Sequence, residues 1–227
     1  MEALRVTPKN VQVRYRGSFF PPNYNLVMNE VAAGLAGKLA EIFGLKSANI
    51  TFNQNAMSTQ YLSFRYILPK EPIRYLDALI GVDQAEVVFL NPATVSELTE
   101  EYMKVWEVII EKSKPRITEH YFEATLHSTT EGFSVKDFLN KFVNVKTRAT
   151  DIQRGFSLTV KQPQIEGEAR IGLEVSTSIP DGLYVIFGCV SKRRIDHATA
   201  LGELFDTTIK IYRDIQELAQ IEVLEAT

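Results

Sequence analysis

The sequence contains a single cysteine, Cys189, in 227 residues. One thiol cannot form an internal disulfide, and this absence favours a reducing compartment. Residues 1–17 lack the apolar core of a signal peptide. No window reaches the ~18 apolar residues that a membrane-spanning helix needs. Together these absences predict a cytoplasmic protein without a membrane partner.

Positive charge is not in excess either. The chain carries 25 lysines and arginines against 28 aspartates and glutamates, a net charge of −3, and its pI is about 5.7. A domain that binds the phosphate backbone of nucleic acid usually has a basic face and a pI above ~9. The charge balance therefore argues against nucleic acid as the partner.

Motifs that carry chemistry are also missing from the sequence. It has no Gly-x-Ser-x-Gly elbow and no phosphate loop ending in Gly-Lys-Ser/Thr. Gly34 and Gly37 fall inside a predicted helix, where close packing on a sheet is a reason to keep them. In a strand, the odd spacing of His120 and His127 places them on opposite faces, although Glu123 shares a face with His127 and could form an acid/base pair with it. We predict no catalytic or metal-binding residues and no cofactor.

Periodic patterns fill the first 114 residues. In the first strand Val11, Val13 and Tyr15 share one face, and Arg14 and Arg16 lie on the other. The predicted order of elements is a strand over Asn10–Phe20, a helix over Tyr24–Phe43 that ends at Gly44, extended segments over 50–52 and 62–68, a hairpin over Tyr75–Leu90, and a helix to Lys112 whose Thr94 and Glu97 form a capping box.

The remaining residues repeat this order. The predicted elements are a strand over 122–126, a short helix capped by Ser134, strands over 156–160, 170–175 and 183–190, and a closing helix over 198–220. The fold class is therefore α+β, with two similar β-α-β-β-β-α halves that form domains over 1–114 and 115–227. We expect two mostly antiparallel sheets, one in each half, each covered by helices.

The strand over 183–190 is apolar on both faces. Alternation is typical of a strand with one solvated face, and this segment lacks it. Three arrangements are compatible with this pattern. The strand is central in its sheet, pairs with the other half, or pairs with another chain.

Several short motifs fall along nearly the whole chain: Asn91-Pro92 before the long helix, Trp106 within it, the strand from His120 to Leu126, Phe138, and Leu201 with Phe205 in the closing helix. In these features and in its element order the chain resembles a family of sporadically distributed prokaryotic proteins with no assigned activity. Such proteins often carry paired prolines near the start of the first strand, whereas Pro21-Pro22 follow it here. The resemblance implies no catalytic residues.

Basic side chains are the candidate contacts for a partner or an anion. Lys192, Arg193 and Arg194 form one short run before the closing helix. Arg14 and Arg16 project together from the polar side of the first strand. An acidic partner or a phosphate is the group that such side chains recognise.

Two kinds of function remain open at this stage. The absence of a catalytic constellation and the apolar strand 183–190 favour a non-enzymatic protein-interaction module that self-associates as a homodimer or binds another protein. The alternative is a small-molecule-binding protein or enzyme with a pocket between the two halves, because clefts between domains are favoured ligand sites.

Overall fold

The computed structural model describes residues 3–46, 49–52, 60–68, 73–132, 134–142 and 155–223. The strands in these residues join into one sheet, in the order β2-β3-β4-β5-β1-β6-β9-β8-β7, with β10 parallel to β1. The strands are β1 (Leu4–Phe19), β2 (Ile50–Phe52), β3 (Gln60–Leu68), β4 (Arg74–Gly81), β5 (Gln84–Leu90), β6 (Ile117–Glu131), β7 (Gly155–Gln162), β8 (Gly167–Val175), β9 (Leu183–Ser191) and β10 (Ile221–Val223).

The α+β class and the mostly antiparallel pairing are as predicted, but the prediction of two separate sheets is wrong. Strands β1 and β6 are 16 and 15 residues long, longer than their alternating cores suggest. They pair antiparallel from Arg5 opposite Glu131 to Phe19 opposite Ile117. Two separate sheets would each leave one of these long strands as an open edge, and pairing them removes both edges.

The strand with two apolar faces, β9, lies inside the sheet. It pairs with β6 on one side and with β8 on the other. Of the three arrangements left open, the central position is therefore confirmed.

The described helices cover one face of this sheet. They are α1 (Asn29–Phe43), α2 (Val95–Ser113), α3 (Val135–Asn140) and α4 (His197–Ala219). Their side chains meet those of the strands in a single core, and the aromatic contacts that mark it are Phe43 with Phe64, Trp106 with Tyr15, Phe205 with Phe122 and Tyr212 with Phe187.

The predicted helix over Tyr24–Phe43 is interrupted. Residues Tyr24–Val27 form a 3-10 turn, and Met28 is extended, so that α1 begins at Asn29. The predicted end is confirmed, because Gly44 has a φ of 59° and its N–H donates to the carbonyl of Ala40.

At the start of α2 the Thr94 half of the predicted capping box is present, but the Glu97 side chain bonds to other groups than predicted. The Thr94 hydroxyl accepts from the N–H of Glu97 at 3.1 Å. The Glu97 carboxylate accepts from the N–H of Ala93 at 2.7 Å and from the guanidinium of Arg74, which is buried. Burial raises the pKa of Glu97, but these hydrogen bonds and the Arg74 charge outweigh it and hold the pKa below its usual value. The cap thereby ties α2 to β4.

Close packing does not explain Gly34 and Gly37. Both are exposed, and no described atom lies within 4 Å of where their Cβ atoms would be. We expect Gly34→Ala and Gly37→Ala each to raise the free energy of unfolding by about 0.5–1 kcal/mol, because alanine loses less backbone entropy in a helix. Urea denaturation measures the change, and a loss of stability in either variant would reveal a contact that the described residues do not make.

None of the helices in the described part of the chain is both long enough and apolar enough to cross a lipid bilayer.

Candidate functional site

The sheet surface opposite the described helices is lined with polar side chains, and we call it the polar face. Successive strands place one residue each in a row across it, because partners in antiparallel strands point to the same side. In strand order from β3 to β7 this row is Arg65, Asp77, Val88, Arg14, Glu123, Gly188, Arg170 and Thr159.

At the centre of the polar face the charges compensate each other. Nε of Arg14 lies 3.5 Å from Glu86, and its Nη1 lies 3.5 Å from Glu123. The guanidinium of Arg16 sits 4.8 Å from the ring centroid of Tyr121, whose hydroxyl donates to Glu123. Burial, followed by that hydrogen bond, raises the pKa of Tyr121. Both arginines predicted as partner contacts are therefore engaged within the chain.

The predicted basic run lies apart from these arginines. Lys192, Arg193 and Arg194 follow β9, which β6 separates from β1. Lys192 and Arg194 are exposed, but Nη1 of Arg193 donates to Glu203 of α4 at 2.6 Å. The five basic residues therefore occupy two places and form no single patch.

A depression of about 230 Å³ opens on the polar face over β9. Its floor is Gly188, which pairs with Glu123 of β6 and Arg170 of β8. Ile186 and Val190, two residues away on either side of Gly188, form the apolar walls. The arrangement places a carboxylate and a guanidinium across a gap that lacks a side chain.

A second depression of about 440 Å³ adjoins the first. Lys192 and Lys161 line it together with three carboxylates, those of Glu119, Glu166 and Glu168. Lys192, a predicted contact, thus faces more negative than positive charge in this depression.

The proposed acid/base pair of Glu123 and His127 does not form. Nδ1 of His127 lies 2.8 Å from the Ser176 hydroxyl, and its ring packs on Tyr184 at 4.6 Å. Glu123 instead contacts Arg14. The predicted separation of the histidines is confirmed, since His127 lies on the polar face and His120 is buried under the helices.

A buried polar cluster at the junction of β1, β6 and α4 was not predicted. The Tyr15 hydroxyl lies 2.8 Å from Nδ1 of His120 and donates to the carbonyl of His197 at 3.3 Å. Burial is the main cause that lowers the pKa of His120 to about 4, so its imidazole is neutral at pH 7. Trp106 stacks on His197 with ring centroids 6.3 Å apart. The cluster is enclosed in the core, where it links the three elements.

The depression over Gly188 was also missed, although the sequence holds a signal for it. An isolated glycine in an otherwise apolar strand marks a place where the sheet needs room. Gly188 lies in such a strand, but the sequence does not say which strands flank it. Its charged neighbours come from β6 and β8, which are distant in sequence.

Within the described residues, no group of three or more histidine, cysteine, aspartate or glutamate side chains is placed to hold a metal ion. Neither the models of known protein families nor the curated proteins yield a match to this chain.

Proposed function

We propose that the protein is a non-enzymatic interaction module that forms a homodimer by pairing strand β7 with β7 of a second copy. The observation that carries this proposal is the exposed edge of the sheet. Five consecutive residues of β7, Ser157–Lys161, are exposed, and among the described strands β7 pairs with β8 alone.

The two edges of the sheet differ in a way that supports the proposal. At one end, β2 has three residues, and short edge strands are a common protection against unwanted pairing. At the other end, β7 has eight residues and presents Leu158 and Val160, which are 47% and 44% exposed. A long edge strand with an apolar row is a template for another strand.

An antiparallel pairing centred on Thr159 gives compatible side-chain contacts on both faces of β7. Leu158 of one copy then lies opposite Val160 of the other, twice by symmetry. On the polar face Lys161 lies opposite Ser157, so no like charges meet. A self-complementary surface of this kind is what a twofold interface requires.

Sedimentation equilibrium or light scattering tests the proposal. The wild-type protein should have twice the chain mass of 25.7 kDa at micromolar concentration. Leu158→Lys places two cations at the paired strands and should weaken the dimer by about a hundredfold or more, since like charges in an interface cost several kcal/mol.

Ile67→Lys is the matched control. Ile67 is an aliphatic residue of β3 that is 64% exposed, far along the sheet from β7. This variant should remain a dimer. A monomeric wild type would contradict the homodimer, and a dimer that survives Leu158→Lys would contradict the role of β7.

We further propose that residues 1–114 and 115–227 are copies of one unit. In both segments the first strand is innermost, the strand that precedes the long helix lies beside it, and the others continue outward, as β1-β5-β4-β3-β2 and β6-β9-β8-β7. That helix is α2 in the first segment and α4 in the second, where the short β10 follows it and pairs with β1. Antiparallel pairing of β1 with β6 is compatible with a twofold axis between them.

Membership of the uncharacterised prokaryotic family stays a prediction.

A further inference from the structure

The depression over Gly188 has the features of a small ligand site. A Cβ at Gly188 would lie 3.4 Å from the Tyr121 hydroxyl and from the Phe122 carbonyl, so any larger side chain there would rise into the depression. Ile186 lies beside another glycine, Gly172 of β8, where a Cβ would lie 2.8 Å from Cγ2 of Ile186. Gly188 thus keeps the floor open, and Gly172 leaves room for the Ile186 side chain that forms one wall.

Charged groups of both signs line the depression. Arg170 is exposed, and its side chain makes no ion pair or hydrogen bond with the described residues. Thr159, its partner on β7, adds a hydroxyl. Glu168 lies two residues from Arg170 on the same face of β8, and Glu123 lies on the far side of Gly188. Positive and negative groups therefore face one small space.

We propose that this depression binds a small zwitterion, a molecule with one carboxylate and one ammonium on a short aliphatic body. The carboxylate accepts from Arg170 and Thr159, and the aliphatic part lies on Gly188 between Ile186 and Val190. The ammonium faces Glu168, and also Glu123, whose carboxylate is shared with Arg14 and the Tyr121 hydroxyl. Small-molecule sites usually consist of an apolar surface with a few placed polar groups.

Size favours a compact ligand. The volume of about 230 Å³ is below the ~300–1,000 Å³ of sites for drug-sized molecules. Strands β6 and β8 flank β9, so their backbones are about 9–10 Å apart. A chain of a few carbons between the two charges fits this span.

The test uses 4-aminobutanoate as the probe and isotope-labelled full-length protein. Amide resonances of Gly188 and its neighbours should shift and saturate as the probe is added. Butanoate and butylamine, which each lack one charge, should bind at least about tenfold more weakly, because a charge-assisted hydrogen bond is lost.

Variants locate the site. Arg170→Gln should weaken binding about tenfold or more, and Gly188→Val should abolish it by filling the floor, whereas Arg65→Gln, at an arginine already paired with Asp77, should leave it unchanged. Unchanged amide spectra with the probe, or equal binding of butanoate, would overturn the proposal. Leu158→Lys should bind the probe normally, since Leu158 points to the opposite face, so this result is separable from the test of dimer formation.

Discussion

Trp106→Ala should lower the free energy of unfolding by about 3–5 kcal/mol, the usual cost of truncating a large buried aromatic side chain. Trp106 is fully buried, and its ring meets Tyr15 edge-on with centroids 5.3 Å apart and Phe19 at 6.5 Å. These contacts join α2 to the central strand β1. Urea denaturation followed by circular dichroism measures the loss, because the variant has no tryptophan fluorescence.

Gly17 supplies the control for this prediction. A Cβ at Gly17 would lie 2.6 Å from Cη2 of Trp106, so the glycine makes room for the indole ring. Gly17→Ala should therefore cost about 1–3 kcal/mol in the wild type by overpacking, and much less in the Trp106→Ala background. Additive losses in the double variant, or a loss below about 1 kcal/mol for Trp106→Ala, would show that the ring is not held in this way.

The sequence predicted those parts of the fold that depend on local patterns. Turn residues and period-two alternation located the hairpin of β4 and β5 around Asp83, and Gly44 marked the end of α1. The arrangement of strands was not predictable in this way. Pairing of β1 with β6 joins residues about 100 or more positions apart, such as Arg5 with Glu131, and alternation says which face a side chain occupies but not which strand lies beside it.

The same contrast between local patterns and long-range pairing explains which parts of the candidate site were predicted. The alternating pattern placed Arg14 and Arg16 together on one face, and they do lie there. Their partners could not be predicted, because Glu86 and Glu123 reach Arg14 from two different neighbouring strands. Arg14 consequently looked available for a partner although it is paired, whereas no sequence pattern marked Arg170, for which the described residues provide no ion pair.

Gly167→Ala should lower the free energy of unfolding by about 3 kcal/mol, the upper end of the range for overpacking. Gly167 begins β8 and pairs with Ser191 of β9. A Cβ at this position would lie 1.7 Å from the carbonyl oxygen of Val190 and 3.2 Å from Cα of Ser191. These atoms belong to the backbone, so no rotation of a side chain relieves the clash, and the ends of the two strands must separate. The Ser191 hydroxyl, which donates to the carbonyl of Ile165 at 2.7 Å, would move with them.

Gly202→Ala makes the same chemical change at a position where space is available. It should raise the free energy of unfolding, whereas Gly167→Ala lowers it. Gly202 is an exposed residue of α4, and no described atom lies within 4 Å of its Cβ position. Alanine should therefore stabilise the protein there by about 0.5–1 kcal/mol through helix propensity. Amide hydrogen exchange should further show lost protection at the start of β8 and the end of β9 in Gly167→Ala alone. If Gly167→Ala were as stable as Gly202→Ala, the close approach of these two strands at Gly167 would be incorrect.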